Sequence, residues 1–292
     1  MSLIEGFENI IRENEPLAPY TSLRIGGVAE FLAEPNDLDQ LQALVQRFAS
    51  AGKSIRLLGG GSNVLVRDEG VAGLVILLSA PAFCQMKCDG EQVLVGGGVK
   101  LSHFVSLAVG NGFVGPENLV GIPGTVGGAL HENTGVQGSD IGTWLRSADV
   151  MTLQGEIKTR KLEDLQFAYR ESSLNELAIL NARFEFDRSD AGELTRRMQK
   201  NWIVTKSNQP GIDQCSAYVF KDHGGESAKQ LIERAGLKGA RIGGVQVSNQ
   251  HANFFIADPA TSSDDVLRLI DLVRNQVSDR LDIDLTLGLQ VW

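Results

Sequence analysis

At 292 residues with 42% apolar side chains, the chain is long enough to bury two or three hydrophobic cores, as a globular protein of several lobes does. A formal net charge of -9, with no basic stripe to offset it, repels phosphate backbones and anionic lipid, so the sequence argues against nucleic-acid binding. No apolar run reaches the ~20 residues of a membrane helix, and the N-terminal residues lack a basic region followed by an apolar core, so a cytoplasmic chain with no membrane association is expected.

In chain order, LDQLQALVQRFASAGK (38–53) sets Leu38, Leu41, Leu44, Val45 and Phe48 at helical spacing and stops at a glycine, which predicts an amphipathic helix. SIRLLGGGSNVLV (54–66) reads as strand, glycine loop and strand. LVILL (74–78) and QVLVGGGV (92–99) are further strands, and LSHFVSLAVGNG (101–112) is a helix ending in Asn-Gly. MTLQGEIKTR (151–160) predicts a hairpin, and the alternation in ILNARFEF (179–186) a half-buried strand. A polar helix over 191–206 looks like the connector to another lobe. The C-terminal part carries a helix at SAKQLIERAG (227–236), strands at GGVQVS (243–248) and NFFIAD (253–258), and a long helix over 262–281. Ser262 and Ser263 before Asp264 and Asp265 suit the N-terminus of that last helix. The fold class is α+β with mixed sheets.

Two glycine-rich segments carry the chemistry. In LGGGSNVLV, Gly59, Gly60 and Gly61 with Ser62 and Asn63 leave backbone N–H groups free to point at an anion. A turn needing positive φ would account for one or two of these glycines. The second segment, GIPGTVGGALHENTG (121–135), reads as an open loop: Pro123 fixes a turn, while Gly121, Ile122, Gly124, Thr125, Gly127 and Gly128 offer backbone, and Asn133 and Gly135 extend a polar edge. Alone it suits a structural crossover. Two such segments in one chain point to a large phosphorylated cofactor.

TSLRIGG, LGGGSNVLV, GIPGTVGGALHENTG, FAYRESSL, LIERAGLKG and QVSNQHANF occur in this order and together resemble the UDP-N-acetylenolpyruvoylglucosamine reductase family over residues 20–292. The resemblance implies a vanillyl-alcohol-oxidase/PCMH-type FAD-binding fold of two lobes plus a C-terminal α+β substrate-binding domain. It suggests residues 1–190 for the flavin domain, with lobes of about 1–78 and 79–190, and 191–292 for the substrate domain. Non-covalent FAD as cofactor, NADPH as co-substrate and a monomer are the corresponding expectations. The compact spacing between Lys221 and His251 resembles the shorter of the family's two classes.

The implied reaction reduces UDP-N-acetylenolpyruvoylglucosamine to UDP-N-acetylmuramate for peptidoglycan synthesis. NADPH reduces the flavin, hydride passes to one alkene carbon, and a proton is delivered to the other. Such chemistry needs a cation or acid near the substrate carboxylate and a proton donor on the opposite side. Tyr169 and Arg170 match the family's Tyr-Arg pair, in which the planar, permanently charged guanidinium supplies that stabilisation. Lys206 and Lys221 match positions suited to the UDP diphosphate, and Asp222 falls on a substrate-binding position. The family's proton-donor serine is replaced by Tyr218, its preceding glycine by Ala217, and its C-terminal glutamate by Gly288. Tyr218 is an adequate acid, with a reference pKa of about 10, but bulkier than serine. A same-fold flavoprotein with lost or changed activity is therefore the alternative. His251 and Asn253 have no carboxylate or second histidine at ligand spacing, and Cys84, Cys88 and Cys215 have no ligating partners nearby, so no metal is assigned.

Overall fold

Helices form where the apolar spacing places them. The computed structural model describes residues 3–136, 139–211 and 214–292. Helix α1 (Leu38–Ser50) buries Leu41, Leu44, Val45 and Phe48 and is capped by Asp37, whose side chain accepts from Gln40 N. Helix α2 (Leu101–Gly110) buries Leu101, Phe104, Val105, Ala108 and Val109. Helix α3 (Val126–His131) lies inside the second glycine segment, where the sequence reads as an open loop. Two glycines weaken it, but Thr125 caps its start, accepting from Gly128 N at 3.3 Å, and Val126, Ala129 and Leu130 are buried. Helices α4 (Ala191–Asn208), α5 (Ala228–Arg234) and α6 (Ser263–Leu281) follow the predicted spans. Ser262 caps α6, accepting from Asp265 N at 3.1 Å.

Packing divides the chain into two units, Met1–Glu15, Glu30–Gly60 and Ala72–Thr205 in one, and Pro16–Ala29, Gly61–Val71 and Lys206–Trp292 in the other. Chain order alone does not reproduce this division. The C-terminal strand Gln290–Val291 pairs in parallel with Val64–Leu65, and Leu23, Ile25 and Leu65 join the same core as the C-terminal helices. These contacts draw two short early segments into the second unit.

The first unit holds a four-stranded sheet in the order Ile11–Pro16, Val28–Ala33, Val71–Ile76, Ile55–Leu57. The first two of these strands carry no strong alternation in the sequence. A five-stranded antiparallel sheet runs Ile157–Lys161, Leu145–Met151, Ala178–Glu185, Gln92–Gly96, Met86–Asp89. Its strand Ala178–Glu185 feeds two cores. Ala178 and Leu180 pack with Phe48 and Leu44, whereas Ile179, Ala182 and Phe184 pack with Phe104 and Leu130. The change of parity is a bulge, since Asp149 pairs with Asn181 and Val150 with Ile179, skipping Leu180. The strand is therefore buried on both faces over residues 178–180, while from Asn181 to Glu185 it alternates as ILNARFEF predicts, with Arg183 exposed.

In the second unit, Cys215–Tyr218, Phe254–Ala257, Val245–Val247 and Arg241–Ile242 form an antiparallel sheet in that order. α5 and α6 share its core, which includes Phe255, Leu231, Leu269 and Val273. Asp68 and Ser263 exchange two hydrogen bonds of 2.9 Å, from each backbone N–H to the other's side chain, and tie the early segment to the start of α6. Among the described residues, no helix is long and apolar enough to cross a membrane.

Candidate functional site

The two glycine segments meet within the first unit, backbone against backbone. A Cβ built on Gly60 would lie 2.6 Å from Gly124 Cα, and one on Gly59 would lie 2.9 Å from the Thr125 hydroxyl. Gly60 and Gly124, 64 positions apart in sequence, thus close to a distance that only glycine tolerates. Gly59 and Gly60 remain exposed on their other side, as do Pro123 and Gly128. Gly124 N–H is followed by Thr125, which starts α3, and Gly121 and Gly124 both adopt positive φ. Gly127 is buried against Gly97, donating its N–H to Gly97 O at 2.9 Å, and Ile122 N bonds Leu119 O. The surface left between these segments is exposed backbone at Gly59 and Gly60, with the Thr125 hydroxyl beside Gly59.

Asn133 follows helix α3 at the polar edge of the second glycine segment. It is buried at 3% exposure, and its amide donates to Ala168 O at 2.8 Å while its oxygen accepts from Gly142 N at 3.2 Å. Gly135 is buried too, with no room for a Cβ beside Asp140. Asn133 thereby fastens the hairpin of Phe167–Ala168 and Glu171–Ser172 to the glycine segment. Tyr169 and Arg170 are the two residues of that hairpin's turn, with Arg170 in the left-handed region at φ 53. The ring of Tyr169 is exposed. Burial pushes the carboxyl of Asp140 up, and the Arg170 guanidinium opposes that shift, which places the arginine in electrostatic range of Asp140.

In the second unit, Gly61 turns away from Gly60 with φ 61, and a Cβ there would overlap Tyr20 O at 1.9 Å. Ser62 is half-buried. Asn63 donates its side-chain amide to Gly288 O at 2.9 Å, and its backbone carbonyl accepts from Gln290 N at 3.0 Å, so it holds the C-terminal strand. The residues just before that strand run beside the stretch that follows Tyr218. Gly288 N and Lys221 N bond Val219 O and Thr286 O, each at 2.8 Å, so Gly288, where the resemblance places a glutamate, pairs with the residues that follow Tyr218. Lys221 Cγ is 3.5 Å from a Cβ built on Gly288.

Tyr218 ends the strand Cys215–Tyr218, with its ring edge-on to Phe254 at 5.4 Å and tilted against His251 at 6.0 Å. Its hydroxyl donates to Asp222 Oδ1 at 3.3 Å, and the same oxygen accepts from Ala228 N at 2.9 Å. Burial, then the neighbouring Lys229, pushes the His251 imidazole down to about 4, so it is neutral at physiological pH and its Nδ1 accepts from Asn253 N. Asn253 is fully buried and clasps Phe220 with both ends of its amide, at 2.9 and 2.8 Å. Lys206 is exposed in the last turn of α4. Among the described residues, no group of three His, Cys, Asp or Glu side chains gathers to hold a metal.

Two supporting segments escape a reading of isolated motifs. Gly96–Gly98 packs its backbone onto Phe83 O, Ile179 O and Leu78 O, with Gly97 N bonded to Leu180 O at the bulge. Residues 20–22 back Gly61. The signal for the first is the third glycine run in the chain, which the strand pattern before it hides.

These features define an FAD-binding chain with a dedicated C-terminal domain. Residues 29–160 match the FAD binding domain family, and residues 209–292 match the family described as UDP-N-acetylenolpyruvoylglucosamine reductase, C-terminal domain. The chain is 40% identical to the UDP-N-acetylenolpyruvoylglucosamine reductase of Rhodopirellula baltica, covering 99% of this chain and 94% of that protein. It is 35% identical to the Bacillus subtilis protein of the same name, covering 93% and 90%. The crystal structure of UDP-N-acetylenolpyruvylglucosamine reductase from Thermus caldophilus superposes with a TM-score of 0.81 at 32% identity, covering 97% of this chain and 98% of that one. The chain belongs to the UDP-N-acetylenolpyruvoylglucosamine reductase family.

Proposed function

We propose that the protein reduces UDP-N-acetylenolpyruvoylglucosamine to UDP-N-acetylmuramate, with NADPH as the reductant and FAD held without a covalent bond, in the cytoplasm and as a monomer. The observation that carries this reading is the apposition of Gly59 and Gly60 to Gly124 and Thr125, a backbone cradle that a single Cβ would fill. Such a cradle fits the pyrophosphate of a dinucleotide, because unobstructed N–H groups approach phosphate oxygens directly. Gly59, Gly60, Gly61 and Ser62 with residues 121–128 would hold FAD, while Asn63, Asn133 and Gly135 keep those segments in place. When bound, FAD carries two electrons between NADPH and the enolpyruvyl double bond.

The chain's own residues do the rest. Arg170, projected from a two-residue turn that Asn133 anchors, stabilises negative charge on the substrate carboxylate as the double bond is reduced. Tyr218 delivers the proton. Tyr169 and Asp222 bind substrate, and Lys206 and Lys221 face the diphosphate as point charges. In domain terms, residues 1–190 serve the cofactor and 191–292 the substrate.

Gly288 favours one competing reading, a flavoprotein of the same fold with another reaction, since glycine supplies no carboxylate. One experiment separates them. Purified protein should be yellow, lose its flavin colour with NADPH, and regain it on adding UDP-N-acetylenolpyruvoylglucosamine. Bleaching without recovery supports the changed reaction, and a colourless protein that takes up no FAD refutes both.

A further inference from the structure

We propose that Lys100 is a further cofactor-binding residue, whose ammonium group holds the phosphates of the dinucleotide in the glycine cradle. This rests on the FAD reading above and supplies the charge that the two glycine segments lack. Residues 58–63 and 121–128 contain no lysine or arginine, and the chain as a whole carries a formal charge of -9. A pyrophosphate brought there meets backbone N–H groups but, from those two segments alone, no compensating cation. A third segment provides one.

Residues 97–101 run antiparallel to residues 124–127. Gly127 N bonds Gly97 O and Val126 N bonds Val99 O, each at 2.9 Å, and Leu101 N bonds Gly124 O at 3.0 Å. Lys100 and Thr125 stand directly opposite each other between the last two of these bonds, as a non-hydrogen-bonded pair. In such a pair the two side chains leave the backbone on the same face and come closest, with Cβ atoms about 4.5–5.5 Å apart. The Thr125 side chain marks that face, since its hydroxyl lies 2.9 Å from the Cβ position of Gly59. Lys100 therefore rises on the side where Gly59 approaches, and its flexible four-carbon stem can set the ammonium over the exposed glycine backbone. The backbone of Lys100 is also fixed from the other direction, because His103 N and Phe104 N bond its carbonyl at 3.0 and 3.1 Å. Its side chain is exposed and, among the described residues, forms no hydrogen bond or ion pair. Lys53, Lys158, Lys161 and Lys238, by contrast, pair with Glu30, Glu156, Glu163 and Glu233. A phosphate at Lys100 thus displaces no existing contact.

The test titrates apoprotein with FAD, followed by flavin fluorescence, in wild type, Lys100→Gln, Lys100→Arg and a control, Lys87→Gln, at an exposed lysine of the sheet-edge strand Met86–Asp89. At about 0.01 M salt, Lys100→Gln should bind FAD about 5- to 10-fold more weakly than wild type. Lys100→Arg should keep most of the affinity, because it keeps the charge, and Lys87→Gln should bind like wild type. At about 1 M salt, where the screening length falls to about 3 Å, the loss in Lys100→Gln should all but vanish. Urea unfolding of the apoprotein should be the same in wild type and Lys100→Gln, since the side chain holds no partner within the fold. Wild-type FAD binding by Lys100→Gln at low salt, the same loss at both salt concentrations, an equal loss in Lys87→Gln, or a lowered urea midpoint would each overturn the assignment. A wild type that takes up no FAD would overturn the cofactor reading first, and the role of Lys100 with it.

Discussion

Substituting Gly60 by alanine tests the cradle at its narrowest point. The added Cβ would sit 2.6 Å from Gly124 Cα, 3.1 Å from Gly124 C and 3.4 Å from Gly124 N. Carbon atoms rest at about 3.5–4.0 Å, so the shortfall is roughly 1 Å. Both partners are backbone, and no rotamer change relieves the overlap. Overpacking of this kind costs about 1–3 kcal/mol. If the two segments part to absorb it, the cradle widens and FAD affinity falls roughly 5- to 150-fold. If they stay together, the same cost appears as lost folding stability. Titrating apoprotein with FAD, followed by flavin fluorescence, and urea unfolding of the apoprotein together capture both outcomes. Gly110→Ala is the control: it closes α2 with nothing within 4 Å of the new methyl, and alanine's helix propensity makes it neutral or stabilising by up to about 1 kcal/mol. Gly60→Ala protein that binds FAD like wild type and unfolds at the same urea concentration would refute the cradle.

Asn253→Ala should destabilise the second unit by about 2–4 kcal/mol, read as a lower urea midpoint, since it leaves the buried N–H and C=O of Phe220 without their partner. His251 gives a pH signature. Its folded value is depressed to about 4 from the ordinary 6.5, so the unfolded chain binds the extra proton between those values. Stability should be full above about pH 6.5 and fall toward pH 4, and His251→Gln should flatten that slope in thermal melts. Tyr218→Ser alone should lose most reoxidation, and adding Gly288→Glu should recover part of it, because a Cβ at Gly288 meets Lys221 only at ordinary contact distance. No recovery in stopped-flow traces would show that the two positions do not share one proton transfer.

The helices and most strands were legible in the sequence because their signals are local. Leu41, Leu44, Val45 and Phe48 recur at the helical period whatever they pack against, and Ser262 ahead of Asp264 and Asp265 marks a helix start by its own hydrogen bonding. The glycine runs likewise announced close backbone approach, and the motif set announced the family. What lies opposite each glycine was not legible, because it depends on chain segments far away. Gly60 needs Gly124, Gly61 needs Tyr20, and Gly97 needs the bulge at Leu180, where the strand is buried on both faces over residues 178–180. Helix α3 formed against its glycines because burying Val126, Ala129 and Leu130 outweighs propensity. The reading of Tyr218 and Gly288 as substitutions comes from the motif resemblance alone. That Gly288 lies beside Lys221 follows only from the pairing of residues 219–221 with 286–288, segments far apart in sequence whose pairing no local pattern encodes.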